Sequence, residues 1–350
     1  MTKVYLIRHA ESEGNSYRRA HGHFNGQITK MGHVQIAHLR QRFDGEKINH
    51  IYSSDLDRTV TTAKALSEPR NLKINKTPML REVKMGIWED ISWGDIEKSE
   101  PEMSKLFGND PAKWKTENSE TYEQVKLRMA QCINDICEKH SGESVAVFSH
   151  GFAIRAFLCN LLGVESHETH KVPYCDNTAV TLLIYDDGKL SVEYEGDNSH
   201  LTDEISTFAR QTWWREKGEK VKENLRYEEL KTNKGPKNVS HIFGEITKEL
   251  HFAIVYVAFL DDEPVGFFGL DAIDEDIGWM PHYYIKPEYE RRNFLDQFIG
   301  QAIFALRKLP KKVMQVRIPS NSKDAKATFL QNGFNVVSED VFVLLEKEIL

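Results

Sequence analysis

Cysteine is scarce, with four in 350 residues. Cys132, Cys137, Cys159 and Cys175 show neither zinc-ligand nor redox spacing and lie among apolar neighbours. Buried free thiols in a reducing compartment are the expectation, and no metal. No apolar run approaches the length of a membrane span, and the chain opens on a strand pattern without the marks of a secretion signal. A cytoplasmic protein, away from membranes, is therefore expected. Positive charge is in deficit too: 46 Lys and Arg stand against 53 Asp and Glu, a formal net charge of −7. Such a balance offers no footprint for nucleic acid. Internal repeats and low-complexity tracts are missing. With 40% hydrophobic and 28% charged residues, what remains is a soluble globular chain, and its length predicts about two domains.

The densest chemistry lies near the start. Val4-Tyr5-Leu6-Ile7 is a short apolar strand pattern that ends in Arg8-His9-Ala10-Glu11-Ser12-Glu13-Gly14-Asn15. Buried strands of this kind belong to α/β sheets, whose ligands sit beyond the carboxyl ends of the strands. Arg8 brings a planar fork suited to a phosphoryl group, and a neutral His9 is a competent nucleophile. For an isolated Arg-His pair, a surface histidine after an edge strand is the plainer reading; recurrence along the chain changes that. Ile48 to Ser53 predicts a second strand, and Thr59 to Leu66 a helix, which puts Arg58 near a helix N-terminus past a strand end. Ser144 to Phe148 is the most buried-looking strand, and it runs through Ser149-His150-Gly151 into a helix from Ala153 to Leu162. His33 to Phe43, capped by Thr29, and Tyr122 to Lys139, with Val125, Met129, Cys132, Ile133 and Ile136 on one face, also read as helices. Short strands are expected at Asn71 to Asn75, Ala179 to Tyr185 and Leu190 to Tyr194. Residues 86–119 read as an irregular, lid-like insertion. This alternation predicts an α/β fold, a mostly parallel sheet with helices on both faces. His9, Arg58 and His150 then fall on one rim of one sheet.

These segments resemble the histidine phosphatase superfamily, the group that includes cofactor-dependent phosphoglycerate mutases. Arg8-His9-Ala10-Glu11 is similar to its Arg-His-Gly-Glu signature, with Asn15 at the asparagine that follows. Ser53 to Thr59 resembles the segment carrying the second arginine, and Ser149-His150-Gly151 the second histidine. Glu82 stands where the family keeps its acid, ahead of the aromatic stretch Gly86-Ile87-Trp88-Glu89. The resemblance covers about residues 1–200. It implies phosphoryl transfer from a small phosphorylated metabolite through a phosphohistidine on His9, without a cofactor. Arg8, Arg58 and a protonated His150 would surround the phosphoryl oxygens. Glu82 would protonate the leaving oxygen and then activate water. Asn15, His21, Gly22 and Gly151 are implied as substrate contacts. Ala10, Ser12, Asn25 and Asp90 depart from the family pattern, and His21 is unusual at its position. The insertion lacks the adjacent arginine pair by which mutases hold phosphoglycerate. Lys105, Lys113 and Lys115 could hold an acidic substrate or form a solvated charged face. A phosphatase is expected over the alternatives, a phosphoglycerate mutase or a phospho-ligand-binding scaffold.

Residues 201–224 read as a connector, in which Trp213-Trp214-Arg215 has the composition of an interface hot spot, suiting a homo-oligomer or packing between domains. From 225 to 350 a smaller α+β domain is expected. Strand patterns at Phe252 to Leu260 and Val265 to Ala272 flank a hairpin turn, and His282 to Ile285, Val313 to Ile318 and Val341 to Leu345 predict further strands. Helices are expected from Tyr289 to Leu306 and from Asn321 to Gln331. This half resembles the GNAT acetyltransferases, through Asp262-Glu263-Pro264-Val265-Gly266, Lys286-Pro287-Glu288-Tyr289, and the run from Asn321 through Ala325 to Gly333-Phe334. The resemblance implies acetyl-coenzyme A as a cofactor, held through Arg291, Arg292, Asn293 and Asn321. Where the family has Arg/Gln-x-x-Gly-x-Gly, however, this chain has Glu290-Arg291-Arg292-Asn293-Phe294-Leu295. Asn293 and Leu295 bring side chains where backbone N–H groups would approach a pyrophosphate. Phe329 stands where the family's tyrosine protonates a thiolate. The expectation is a GNAT-like domain with a degenerate coenzyme A motif; a bifunctional phosphatase and N-acetyltransferase is the alternative.

Overall fold

In the computed structural model the described residues are 1–211, 223–230, 239–244, 250–271, 275–290, 292 and 294–349. Trp213, Trp214, Arg215, Arg291 and Asn293 lie outside them. The chain forms two compact units from interleaved segments. Met1–Asn15, Ala20–Glu89 and Glu100–Val221 make the first, and Ser16–Arg19, Asp90–Ser99 and Lys222–Leu350 the second.

The first unit is built on a six-stranded sheet in the order β3-β2-β4-β1-β5-β6. Its strands are β1 (Thr2–Arg8), β2 (His50–Ser53), β3 (Ile74–Lys76), β4 (Ser144–Ser149), β5 (Val180–Asp186) and β6 (Lys189–Asp197). The first four are mutually parallel, and β5 and β6 run antiparallel at one edge. Val4, Ile7 and the whole run from Val145 to Phe148 are inaccessible to solvent, as central parallel strands require. Register then aligns the strand ends. Arg8 pairs with Ser149 and Ser53 with Phe148, so His9, Ser54 and His150 leave the sheet at the same rim.

Helix starts obey local chemistry. Thr29 accepts from Gly32 N at 3.0 Å and opens the helix Lys30–Arg42. The helix Tyr122–Lys139 begins with a reciprocal capping box between Thr121 and Gln124. The helix Asp57–Arg70 runs past the expected end at Leu66 and stops where Asn71 turns left-handed, φ 50°. That cap displaces the expected strand at Asn71, and β3 starts at Ile74. Residues 201–211, expected as connector, are bonded into the first unit. Thr207 Oγ1 donates to Glu11, Arg210 pairs with the same carboxylate, and Phe208 N donates to Asp176. The four cysteines are free and buried.

The second unit holds a seven-stranded sheet in the order β12-β13-β11-β10-β9-β8-β7. Its strands are β7 (Arg226–Glu229), β8 (Ile254–Leu260), β9 (Glu263–Asp271), β10 (Ile277–Ile285), β11 (Val313–Pro319), β12 (Asn335–Glu339) and β13 (Phe342–Glu348). Only β10 and β11 pair in parallel within it. The helix Phe294–Lys308 supplies Phe294, Phe298, Ile299, Ala302 and Ile303 to the core. It begins later than Tyr289 because Pro287 starts a separate 3-10 turn. Strands β7 and β12 were not expected: both are short and polar, and every residue of β12 is exposed.

The insertion is not a single lid-like piece. Its residues 90–99 belong to the second unit together with 16–19. Tyr17 joins the second unit's core. The buried Arg19 pairs with Asp90 and donates to Gln301 Oε1 at 2.7 Å. Asp95 accepts from Tyr227 N at 2.8 Å. Among the described residues no helix is long and apolar enough to cross a membrane.

Thr121→Ala removes the side-chain acceptor of the capping box, leaves the backbone N–H at 121 on Gln124, and should cost about 1 kcal/mol of stability. The first unit's urea midpoint should fall while the slope of the transition stays unchanged. An unaltered midpoint would show that packing alone sets this helix start.

Candidate active site

His9 leaves the end of β1 with its ring buried. Its Nδ1 lies 2.7 Å from Ala10 O, so Nδ1 carries the proton and the lone pair is on Nε2. Burial, then the charges of Arg58 and Arg8, hold its pKa well below the ordinary imidazole value, against a smaller opposing effect of the bond to Ala10. A neutral ring nitrogen beside two buried guanidinium groups is a nucleophile in a site that attracts anions. Asn177, from the turn before β5, donates from Nδ2 to His9 O at 2.9 Å and steadies the backbone.

Arg8 is anchored by a bond from Nη1 to Cys175 O at 2.6 Å. Burial lowers its pKa, offset by Asp176 and Glu82. Arg58, near the N-terminus of the helix Asp57–Arg70, donates to Phe24 O at 2.9 Å, to Gly22 O at 2.8 Å and to His21 O at 3.3 Å. Its pKa falls to about 10 through burial, countered by Glu82 and Glu89, and it stays charged at neutral pH.

His150 comes directly after β4, and its ring centroid lies 5.2 Å from that of His9. The expectation of a protonated His150 needs correction. Burial, then Arg58 and His9, hold its pKa well below the ordinary imidazole value, so the ring is neutral. Ser54 Oγ lies 2.9 Å from Nε2 and accepts from Leu56 N at 3.3 Å. With Ser54 donating its hydroxyl proton to Nε2, the proton of the neutral ring is on Nδ1. Among the described residues His150 Nδ1, Arg8 Nε and Asn177 Oδ1 are buried polar atoms without a hydrogen-bond partner. Gly151 opens the next helix, and a Cβ there would come within 3.2 Å of Arg8 Nε.

Glu82 sits at the start of that helix. Its carboxylate accepts from Phe152 N at 3.0 Å, Ala153 N at 2.9 Å and Val83 N at 3.0 Å. Arg128 steadies the approach to it by donating to Met79 O, Arg81 O and Glu82 O while pairing with Glu120. Arg128 escaped the sequence reading because it lies on the polar side of an amphipathic helix.

Glu89 was noticed only as part of an aromatic stretch, yet its carboxylate organises the loop at 21–24. It accepts from Gly22 N at 3.2 Å, His23 N at 2.8 Å, Phe24 N at 2.8 Å and Met85 N at 2.9 Å. Gly22 has no room for a side chain: a Cβ would lie 2.3 Å from Val83 O. The His21 ring packs against Phe24 at 4.7 Å and fills the space beside Gly14 and Gly26. Asn15 turns inward, its Oδ1 accepting from Ser12 N at 3.0 Å and from Asn177 Nδ2 at 3.3 Å.

The structure therefore gathers Arg8, His9, Arg58, Glu82, His150 and Gly151 in one polar cluster of the first unit, with Asn15, His21 and Gly22 in the loops that frame it. Lys105 and Lys113 are held in ion pairs with Glu102 and Asp110. Of the expected coenzyme A contacts, Arg292 lies over the rings of Phe294 and Tyr289, and Asn321 is exposed ahead of the helix Lys323–Gln331.

Known proteins are similar to this chain over its first unit. Residues 4–198 match the model of the histidine phosphatase superfamily (branch 1). Phosphoserine phosphatase 1 of Hydrogenobacter thermophilus is 30% identical over 183 residues, 52% of this chain and 86% of that protein. The probable phosphoglycerate mutase GpmB of Yersinia pestis is 30% identical over 207 residues, 57% of this chain and 95% of that protein. Bacillus stearothermophilus YhfR superposes with a TM-score of 0.56 at 28% identity, over 57% of this chain and 99% of its own. Phosphoserine phosphatase from Entamoeba histolytica, in complex with 3-phosphoglyceric acid, gives 0.52 at 25% identity, over 58% of this chain and 100% of its own.

Nuclear magnetic resonance of imidazole nitrogens should find His9 and His150 neutral as pH is lowered through ~6.5, where an exposed histidine protonates. The unfolded chain takes up those protons and the folded chain does not, so stability should fall as pH drops below that value. An imidazolium signal from either ring near the ordinary value would contradict this electrostatic picture.

Proposed function

The chain belongs to the histidine phosphatase superfamily, and on that premise we propose that its first unit is a phosphomonoester phosphatase working through a phosphohistidine on His9. The observation that carries this reading is the buried, neutral His9, with Nδ1–H held by Ala10 O beside Arg8 and Arg58. Nε2 attacks phosphorus, the N–P bond forms, and the ester P–O bond breaks in line. Arg8, Arg58 and the Nδ1–H of neutral His150 receive the equatorial oxygens, whose charge they stabilise by being in place beforehand. Glu82 gives its proton to the leaving oxygen. It then takes a proton from the water that cleaves the N–P bond, a role worth ~10²–10⁴-fold in rate.

The substrate in this reading is a small phosphorylated metabolite, in keeping with relatives named for phosphoserine and phosphoglycerate. Hydrolysis is favoured over isomerisation because the segment carries no arginine pair for a phosphoglycerate.

For the second unit the reading is a GNAT-like fold with weak or no coenzyme A binding. β10 pairs with β11 only over Ile277–Met280 and Val313–Val316, and β10 carries an irregularity between Trp279 and His282 against β9. Parallel neighbours that part midway leave backbone groups that an extended ligand could meet. Phe329, however, is wholly buried against Phe334 and Tyr283. It serves the core and has no proton to donate.

Purified protein should hydrolyse members of a phosphometabolite panel, trap acid-labile phosphate on rapid mixing, and fail to isomerise phosphoglycerate. His9→Ala should abolish both turnover and trapping with the fold intact. Normal turnover in that variant would refute the covalent mechanism, and no turnover in the parent protein would favour a binding scaffold. Calorimetry with acetyl-coenzyme A should show no tight binding, with acetyl transfer to amines near background. Tight binding with robust transfer would make the protein bifunctional.

A further inference from the structure

The other end of the same parallel strands carries a second cluster of chemistry. β2 opens on His50, and the turn leading from the helix Tyr122–Lys139 into β4 carries His140 and Glu143. His50 Nε2 lies 2.9 Å and His140 Nδ1 3.2 Å from one oxygen, Oε2 of Glu143. The two imidazoles stack with centroids 3.8 Å apart and planes 28° from parallel. All three potential ligand atoms lie within 4.8 Å of one another. At ~3.3 Å per strand residue, the length of β4 puts Glu143 roughly 20 Å from His150, so the cluster is separate from the phosphatase site.

We propose that His50, His140 and Glu143 form a binding site for a divalent transition-metal ion of the zinc class, although the sequence alone pointed to no metal. Two imidazoles and a carboxylate are a donor set that suits zinc and cobalt, with the remaining position open to water. Bonds of ~2.0–2.1 Å at the tetrahedral angle separate neighbouring donors by ~3.3–3.4 Å. The observed separations of 2.9 and 3.2 Å need to widen by a few tenths of an ångström, and the stacked rings must turn until both lone pairs meet at one point. On binding, the ion takes the place of the two N–H protons shared with Glu143, and each neutral imidazole keeps its proton by moving it to the other ring nitrogen.

The surroundings are arranged for this. Tyr52 Oη lies 2.9 Å from His140 Nε2. It donates to Nε2 while Nδ1–H is bonded to Glu143, and turns to accept Nε2–H when Nδ1 binds the ion, as hydrogen-bonded partners of metal-binding histidines do. The turn is tied down on several sides. Thr2 Oγ1 accepts from Gly142 N at 3.1 Å, Lys3 N donates to Glu143 O at 3.0 Å, and Ser144 N donates to Asn49 Oδ1 at 3.1 Å. Gly142 takes φ +82°, which glycine adopts without strain. The side chain of His140 is 8% exposed, whereas those of His50 and Glu143 are 36% and 40% exposed. An ion can therefore enter from solvent onto a rigid base. Lys139 opposes it through its charge on His140, and Glu143 offsets that charge.

The test uses the full chain without a histidine tag, stripped by chelator and titrated with zinc or cobalt alone. Calorimetry should show one saturable equivalent, the first unit should melt at higher temperature, and cobalt should give visible bands of a nitrogen-oxygen site. His50→Ala, His140→Ala and Glu143→Gln should each weaken binding at least about tenfold. Phosphomonoester turnover of His50→Ala should stay unchanged, and His50→Gln serves the same purpose if the alanine variant folds poorly. Binding that survives unchanged in a His50→Ala/His140→Ala double variant would place the metal elsewhere and overturn the proposal. So would the lack of saturable binding below about 1 mM.

Discussion

One short loop, residues 21–24, is held between two opposite charges, the buried Arg58 and the half-buried Glu89, and the candidate site depends on that grip. Arg58 takes its carbonyl oxygens and Glu89 takes its amide hydrogens. Each charge is satisfied by peptide groups, and neither needs water. A buried charge such as that of Arg58 is costly to strand: removing one partner typically destabilises by ~3–5 kcal/mol. The arrangement also solves a positioning problem. Arg58 must be immobile to act as part of an anion site, and its fork is fixed by bonds to a loop that Glu89 in turn fixes.

The strand ends were legible in the sequence because parallel sheets have simple rules. An apolar run that gives way to a polar turn marks a carboxyl end, and His9 and His150 were found that way. Arg58 was found by its place before a helix, and Glu82 only through the resemblance to a family. Glu89 and Arg128 were not legible as functional residues. Both act by hydrogen bonds to backbone groups distant in sequence, and such bonds leave no periodicity and no motif. The chain also hid the membership of residues 16–19 and 90–99 in the second unit, since nothing in their composition names the partner. Strands β7 and β12 were missed for simpler reasons: β7 has only four residues, Arg-Tyr-Glu-Glu, and β12, exposed throughout, shows no alternation of polar and apolar residues.

His150 marks the limit of arguments from residue type. Chemistry that handles an anion suggested a cationic imidazole there. The folded chain buries the ring beside Arg58 and His9, and under those conditions a third positive charge is expelled. A neutral ring still donates one hydrogen bond, from the nitrogen that Ser54 leaves protonated. Two guanidinium groups, neither of which can shed its proton near neutrality, then supply the permanent charge. The distinction matters for pH behaviour, because the charge of the site is carried by groups that do not titrate in the physiological range.

The interleaving of segments bears on how the chain is made. Tyr17 and Arg19 are translated well before Gln301 and the helix that bears it, Arg19 by 282 residues. At ~5–20 residues per second, synthesis of the intervening 282 residues takes roughly 14–56 s. During that interval the early segments have no core of their own unit to enter. Arg19 has Asp90 as a companion well before that, which neutralises the charge while the wait lasts. The other buried side chains of the core that Tyr17 joins all lie at Leu225 or beyond, so its ring must stay accessible to whatever guards nascent hydrophobic groups. The second unit is thus completed by residues translated before most of it exists.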